Sequence, residues 1–335
     1  MLREQAPRLP AGARGGGAVT QAPVLRLGTR ASLLATTQSQ HVADAITTAT
    51  GIPVELVEIT TDGDVLTGSL AQMGGTGVFA TALREALVRG DCDLVVHSMK
   101  DLPTAPYPGL EIAAVPPRAP QRDVLCGPEA GTTLDALPAG AVVGTGSPRR
   151  VAQVRRRRPD LQVRDIRGNV DTRLRKVRDG EYDAVVLAEA GLRRIGRDAA
   201  IGEVFALDAW PTSAGQGALA VEVRTADLDG PIGRAVRLID DAASASRALL
   251  ERAVLRRLEA GCAAPVGITV TGLGTESAFV AEVYAPDGAR TVRAVRSLEA
   301  DLASPAERER IATDVVAELL DGGAADIADL PGTSR

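Results

Sequence analysis

Aromatic side chains are nearly absent: three Phe, three Tyr and one Trp in 335 residues. The core must therefore be aliphatic, and a surface that stacks bases on aromatic rings has almost nothing to be built from. Histidine is scarcer still. His41 and His97 are the only two, which argues against histidine-based catalysis or metal ligation. The three cysteines, at 92, 126 and 262, are an odd number, far apart and without a C-x-x-C spacing. Neither a disulfide framework nor a zinc site is expected, and a reducing cytoplasm suits them best. No apolar run approaches the length of a membrane span, so no membrane partner is expected. The first 23 residues, rich in Pro, Gly and Arg, lack the apolar stretch of a secretory signal and read as a disordered tail. Lysine is the last scarcity, with Lys100 and Lys176 set against 36 Arg.

What is there begins with strands alternating with helices. Leu25-Arg26-Leu27 reads as a strand, Gly28-Thr29-Arg30 as a turn, and Ser32 as the cap of a helix running towards Thr50. Val54 to Ile59 alternates as a strand, 61–77 is a polar glycine-rich loop, and Val78 to Arg89 has helical spacing closed by Gly90. The apolar run Asp93-Leu94-Val95-Val96 then reads as a buried strand. A second unit repeats the scheme: Ala141-Val142-Val143, the turn Gly144-Thr145-Gly146, the cap Ser147-Pro148, a helix closed by Pro159, a strand over 161–166 and a helix over 170–178. Gly180 to Val186 echoes Gly90 to Val96. The pattern implies an α/β protein of two similar lobes with largely parallel strands, and an interdomain cleft as the default site. The first lobe is expected over 24–117, completed by a returning strand within 218–235, and the second over 118–217. Residues 236–335 read as a small α+β domain, with a helix over 246–259, antiparallel strands over 266–296 and a capping box at Ser304 opening a last helix.

The chemistry-bearing residues lie at the ends of these strands. Lys100 and Asp101 follow the buried strand in His97-Ser98-Met99-Lys100-Asp101, and the carboxyl ends of strands are where an open α/β sheet binds its ligands. Between Ser147 and Arg178 stand twelve Arg or Lys and three Asp, a local balance of +9 in a chain of net charge −5. Such a stripe suits an anion. Arg149 and Arg150 fall in the first turn after Ser147, where a helix dipole disfavours cations unless a polyanion sits on that terminus. Arg167 and Arg173, flanking Gly168-Asn169, extend the arrangement, and Arg30 beside Ser32 repeats it in the first lobe. The plain run Arg155 to Arg158 reads as a solvated helix face. Cys262 lies in a loop just past a helix end, where it is either a buried inert thiol or one free to reach the cleft as a covalent attachment point. Clustered arginines are also the footprint of nucleic-acid binding. The scarcity of aromatics, the acidic total and the spread of arginines over several loop ends argue against it. A compact, multiply carboxylated ligand fits better, held either by an enzyme or by a two-lobed solute-binding protein.

Several segments together resemble one family, hydroxymethylbilane synthase, also called porphobilinogen deaminase. They are Leu25-Arg26-Leu27-Gly28-Thr29-Arg30-Ala31-Ser32, His97-Ser98-Met99-Lys100-Asp101, Gly144-Thr145-Gly146-Ser147-Pro148-Arg149-Arg150, Arg167-Gly168-Asn169-Val170-Asp171-Thr172-Arg173, Ala214-Gly215-Gln216-Gly217-Ala218 and Gly261-Cys262. The resemblance implies two lobes like those of periplasmic binding proteins plus a third domain bearing the cysteine. It implies a dipyrromethane cofactor joined by a thioether to Cys262, and the stepwise condensation of four porphobilinogen molecules into hydroxymethylbilane with loss of ammonia. Asp101 is the expected catalytic carboxylate and Lys100 its partner. Arg30, Ser32, Thr145, Ser147, Arg149, Arg150, Arg167, Arg173 and Arg194 are expected to hold the cofactor with them. A monomer is expected, with no nucleic acid or membrane bound. Departures from the family pattern are Gln72 and Thr76 where relatives often carry lysine, and the small Gly146 and Ala263-Ala264. Phe79 still matches an aromatic associated with the moving loop.

Overall fold

A computed structural model describes residues 24–59, 77–260, 264–272 and 277–330. The first sheet contains β1 (Leu25–Thr29), β2 (Val54–Glu58), β3 (Leu94–Ser98), β4 (Leu110–Ala114) and β10 (Leu219–Arg224), in the order β2-β1-β3-β10-β4. The second contains β5 (Asp123–Cys126), β6 (Val142–Gly144), β7 (Gln162–Arg164), β8 (Ala184–Ala188) and β9 (Glu203–Val204), in the order β7-β6-β8-β5-β9. The two orders superimpose position for position, so the repeat seen between Gly90 and Gly180 is a repeat of whole sheets. In each lobe three strands run parallel, and the fourth and fifth positions pair antiparallel.

That corrects the expectation of largely parallel pairing. The reason is that the chain passes between lobes twice, through 115–122 and 205–218. The strand entered from the other lobe (β5 or β10) meets the parallel set from the opposite direction. The short strands β4, β5 and β9 carry no clear alternation and escape a periodicity reading.

Helices form where the spacing predicts them. In α1 (Leu33–Thr50) the Ser32 hydroxyl accepts from the Ala35 amide at 3.4 Å, and Gly51 closes the helix with φ 72°. Next, α2 (Gly77–Arg89) ends at Gly90, φ 84°. Ser147 sits at the N-cap of α3 (Pro148–Arg157), but its side chain makes no capping bond. The helix α4 (Val170–Arg178) is capped by Asn169, whose Oδ1 accepts from the Thr172 amide at 2.9 Å. Two short helices, α5 (Glu189–Arg194) and α6 (Pro231–Arg237), follow β8 and β10. The third sheet, β11 (Val266–Thr271), β12 (Ser277–Tyr284) and β13 (Thr291–Leu298), is antiparallel and packs on α7 (Ala242–Arg257) and α8 (Pro305–Asp321). At the start of α8 the capping box is only half formed. The Ser304 hydroxyl accepts from the Glu307 amide, but the Ser304 amide goes to Asp301 and Glu307 turns to Arg310. The cores are aliphatic, as the scarcity of aromatics requires: Leu27, Ile46 and Val221 in the first lobe, Leu125, Val143 and Val186 in the second, Ile268, Val283 and Leu319 in the third unit.

Candidate active site

The two crossings between lobes lie against each other. The Ala119 amide donates to the Gly217 carbonyl at 3.2 Å. Gly217 has φ 85°, and a Cβ there would stand 2.4 Å from the Ala119 carbonyl oxygen, so only glycine lets the strands of the hinge approach this closely. The buried side chain of Gln216 ties the crossings to both lobes. Its Nε2 donates to the Gln121 carbonyl and to Asp123 Oδ1, both at 2.8 Å, while its Oε1 accepts from Lys100 Nζ at 3.3 Å and stands 3.5 Å from Arg150 Nη2. Neither Gln216 nor Asp123 stands out in the sequence reading. The only signal for Gln216 is its place in the Ala-Gly-Gln-Gly-Ala motif, and Asp123 has none.

Lys100 and Asp101 lie on a 3-10 turn, Met99–Asp101, that continues β3. The turn is held from both sides. The Met99 amide donates to the Ala218 carbonyl at 3.0 Å, and the Arg252 guanidinium, from α7, donates to the carbonyls of Met99, Leu102 and Pro103 at 3.1, 2.7 and 2.7 Å. With its backbone fixed and Met99 packed inside, the turn leaves the Asp101 carboxylate exposed. Burial lowers the Lys100 ammonium to about 8. Asp101 opposes that shift and the neighbouring Arg150 adds to it. A lysine whose charge is weakened by burial beside further cations suits a site that receives negative charge.

The arginine pair behaves differently from the expectation. The sequence suggests a polyanion to offset the charges of Arg149 and Arg150, but a carboxylate of the protein already does much of this. Asp123 accepts from Arg149 Nη1 at 2.8 Å, Arg150 Nη2 at 2.6 Å and Trp210 Nε1 at 3.1 Å, in addition to Gln216. Burial alone would raise its pKa, but the two guanidinium groups hold it far below the ordinary carboxylate range. Arg149, 2% exposed, is enclosed rather than presented to the cleft: its Nη1 also donates to Gln153 Oε1 at 2.7 Å and to the Pro211 carbonyl at 3.1 Å. Arg150 reaches the crossing and the Val186 carbonyl, and its buried Nε has no hydrogen-bond partner. Two cations against one anion leave one positive charge here, adjoining that of Lys100.

Arg173 is brought towards the same point. Its pKa is lowered by burial and then by the charges of Arg150 and Arg167, and its Nε donates to the Gly168 carbonyl at 2.8 Å. Arg167 is exposed and paired with Asp165 at 2.9 Å. Arg194, lowered to about 10 by burial, donates to the Gly217 carbonyl at 2.7 Å. Among the described residues neither Arg173 nor Arg194 has a carboxylate at ion-pair distance. Thr145 is buried at the end of β6 and its hydroxyl accepts from the Ser147 amide at 3.2 Å, which leaves the Ser147 hydroxyl uncommitted to the helix. In the first lobe β1 runs parallel to β3 in the register Gly28↔Val95. On that register Arg30 leaves the sheet level with His97, ahead of the Lys100 turn, and α1 ties the two strand ends through Gln38 to Ser98 at 3.0 Å and Ser39 to Thr29 at 2.8 Å.

Other expected features lie elsewhere. His97 points away into a buried cluster, 3.0 Å from Glu222, which Arg84 grips with two bonds. The run 155–158 spends its charge on Asp135, Asp160, Glu203 and the Pro286 carbonyl rather than on solvent alone. Cys92 and Cys126 are buried, their thiols pushed up to about 11 and about 12 by burial, so both are inert. A cavity of about 300 Å³ opens between α1 and α5, walled by Val42, Ala45, Pro116, Pro117 and Arg194, apart from Lys100 and Asp101. Cys262, the loop with Gln72 and Thr76, the Phe79 side chain and the tail 1–23 lie outside the described residues. No described helix is long and apolar enough to cross a membrane.

Comparison with known proteins places the chain. The family model described as "Porphobilinogen deaminase, dipyromethane cofactor binding domain" matches residues 25–230, and that of the "Porphobilinogen deaminase, C-terminal domain" matches 245–321. A porphobilinogen deaminase of Leifsonia xyli subsp. xyli is 53% identical over 323 residues, covering 95% of this chain and 98% of that protein. One from Thermobifida fusca is 48% identical over 316 residues, covering 92% and 98%. Among solved structures, a periplasmic substrate-binding protein of an ABC transporter from Coxiella burnetii is 15% identical, covers 68% of this chain and 95% of its own, and has a TM-score of 0.42.

Proposed function

Since the chain belongs to the porphobilinogen deaminase family, we propose that it is a transferase that condenses four porphobilinogen molecules in sequence and releases hydroxymethylbilane, a step of tetrapyrrole biosynthesis. The observation that carries this reading is the gathering of Lys100, Arg150 and Arg173 near the crossing of the two lobes, with the exposed carboxylate of Asp101 beside Lys100 and Arg194 bonded to the Gly217 carbonyl of the crossing. In a chain of net charge −5, cations brought together with too few anions need an anionic ligand.

The residues present suit a dipyrromethane. Arg150 Nε is a buried donor without an acceptor, and Arg173 and Arg194 hold guanidinium forks that no described carboxylate occupies. When bound through Cys262 that group would supply a nucleophilic terminal pyrrole carbon on which the chain grows. Arg30, Arg150, Arg167, Arg173 and Arg194 would bind its acetate and propionate groups, with Ser32, Ser147 and Lys100 completing the set. Thr145 shapes the turn that presents Ser147. Arg149, enclosed behind Asp123, serves the site by fixing Arg150. Each incoming substrate loses ammonia from its aminomethyl carbon, leaving a cationic pyrrole. Asp101 stabilises that cation, accepts the pyrrole N–H and takes the proton displaced when the new carbon–carbon bond forms.

The enzyme is read as a monomer that works in the cytoplasm and binds no nucleic acid. Intact mass spectrometry tests the reading: a dipyrromethane adduct located on Cys262, with ammonia release from porphobilinogen, is expected. An unmodified Cys262 in a cofactor-replete preparation would instead mark a carboxylate-binding protein.

A further inference from the structure

One line of buried hydrogen bonds runs out of the site and into the third domain. From Asp123 it passes to Arg149 at 2.8 Å, from Arg149 to Gln153 Oε1 at 2.7 Å, from Gln153 Nε2 to the Tyr284 hydroxyl at 3.0 Å, and from that hydroxyl to Glu282 Oε2 at 2.8 Å. Every member is buried, with exposures of 3% or less. The direction of each bond is forced. Arg149 only donates, so the Gln153 oxygen faces it; the Gln153 amide nitrogen must then donate to Tyr284, and Tyr284 must donate to Glu282. A chain whose every orientation follows from the donor-only Arg149 at its head has a single arrangement, and such a chain transmits position.

Tyr284 also holds the backbone beyond Cys262. Its amide donates to the Pro265 carbonyl at 3.0 Å, three residues past that cysteine in sequence. One residue thus fixes the chain leaving the cofactor attachment point and, through its hydroxyl, the carboxylate that sets Arg150.

We propose that Tyr284 and Glu282 are positioning residues that keep the third domain, where the cofactor is anchored, in register with the Arg149–Asp123–Arg150 group, whose Arg150 meets its carboxylates. This rests on the reading of Arg150 as a ligand-binding residue. Nothing in the pair touches substrate. Its effect is to hold Gln153 and Arg149, so that Asp123 keeps Arg150 and Gln216 where Lys100 can join them.

The test uses the cofactor-loaded enzyme with Tyr284→Phe, Gln153→Leu and the double variant, assayed well below their melting temperatures. We expect the adduct on Cys262 to persist, kcat to change little and KM for porphobilinogen to rise about tenfold in each single variant, the scale of coupling within one hydrogen-bonded network. The double variant should be no worse than the poorer single one. KM within twofold of wild type in Tyr284→Phe, with only the melting temperature lowered, would overturn the proposal, as would multiplicative losses in the double variant. Glu282→Ala and Glu282→Gln provide a second, independent measurement. The amide oxygen can still accept from Tyr284, so Gln should restore most of the KM lost with Ala, and equal values for the two would refute the idea. Wild-type turnover and adduct mass in the same series report on the activity itself; ratios between variants report on the positioning.

Discussion

Replacing Asp123 by Asn perturbs the electrostatic core of the site with the least change of shape. The carboxylate is fully buried and accepts four hydrogen bonds, two of them from guanidinium groups. An amide in the same place exchanges one acceptor oxygen for a donor. If it replaces Oδ2 it faces Arg149 and Trp210; if it replaces Oδ1 it faces Arg150 and Gln216. Two donors lose their acceptor in either orientation, and two buried cations lose their counter-charge. Breaking a buried pair in this way costs about 3–5 kcal/mol. With a urea dependence of about 3 kcal/mol per molar, the midpoint should fall by about 1 M or more.

The assay is built into the molecule. Trp210 is the only tryptophan, is 4% exposed, stacks on Phe205 with centroids 4.1 Å apart and donates to Asp123 itself. Its fluorescence reports the unfolding of the lobe that carries the arginine pair. Because the folded pKa of Asp123 lies below its unfolded value, the carboxylate contributes its full stabilisation above the unfolded value, about 3.9, and loses it as pH falls towards the folded one. The difference between wild type and Asp123→Asn should therefore be constant from pH 8 to pH 5 and shrink only in strong acid. A triple variant, Asp123→Leu with Arg149→Met and Arg150→Leu, should recover much of the stability but none of the activity. A midpoint for Asp123→Asn within about 0.2 M of wild type would refute the claim that this carboxylate holds the pair.

Other outcomes follow from the same geometry. Asp101→Asn should keep the adduct on Cys262 and fold normally, since Asp101 is exposed, yet lose at least a hundredfold in kcat, on the order of a positioned acid–base group; near-full turnover would remove Asp101 from the chemistry. With the Lys100 ammonium at about 8, kcat/KM should decline as pH rises through that value because the cation that attracts carboxylates is lost, and Lys100→Met should abolish that limb of the profile. Gly217→Ala should destabilise the hinge by more than about 1 kcal/mol, from its positive φ and the approach of the Ala119 carbonyl, measurable as a lowered melting temperature.

The repeat of strand, turn, cap and helix was legible in the sequence because local rules set it: Ser32 and Gly90 stand where caps are needed and the structure uses both, while Ser147 holds the N-cap position without a capping bond. Strands β4, β5 and β9 were not legible, because they are short, and the antiparallel sense of β5 and β10 depends on where the chain crosses between lobes, which no local spacing encodes. Within the site, residues at strand ends were legible as charge out of place: Lys100, Arg150 and Arg173. Asp123 and Gln216 were not. A single Asp within Arg122-Asp123-Val124 and a Gln within a glycine-rich motif become informative only when β5 and the second crossing bring them within 2.8 Å of each other.

The enclosed Asp123 also answers a problem that the positive stripe poses. A cleft lined by cations must fold and persist without its ligand, and two buried guanidinium groups with no counter-ion would cost more than a domain's net stability allows. One carboxylate offsets one of the two. The second, on Arg150, shares the same carboxylate, and the further charges are placed where burial is partial, on Lys100, Arg173 and Arg194, each depressed from its ordinary pKa by burial. On the proposed binding roles of these residues, the cost of that burial would be relieved by the ligand's carboxylates, of which every added pyrrole brings two. The half-buried cations would then favour ligands of rising negative charge, while Asp123 supplies the counter-charge that the enclosed arginine pair needs in their absence.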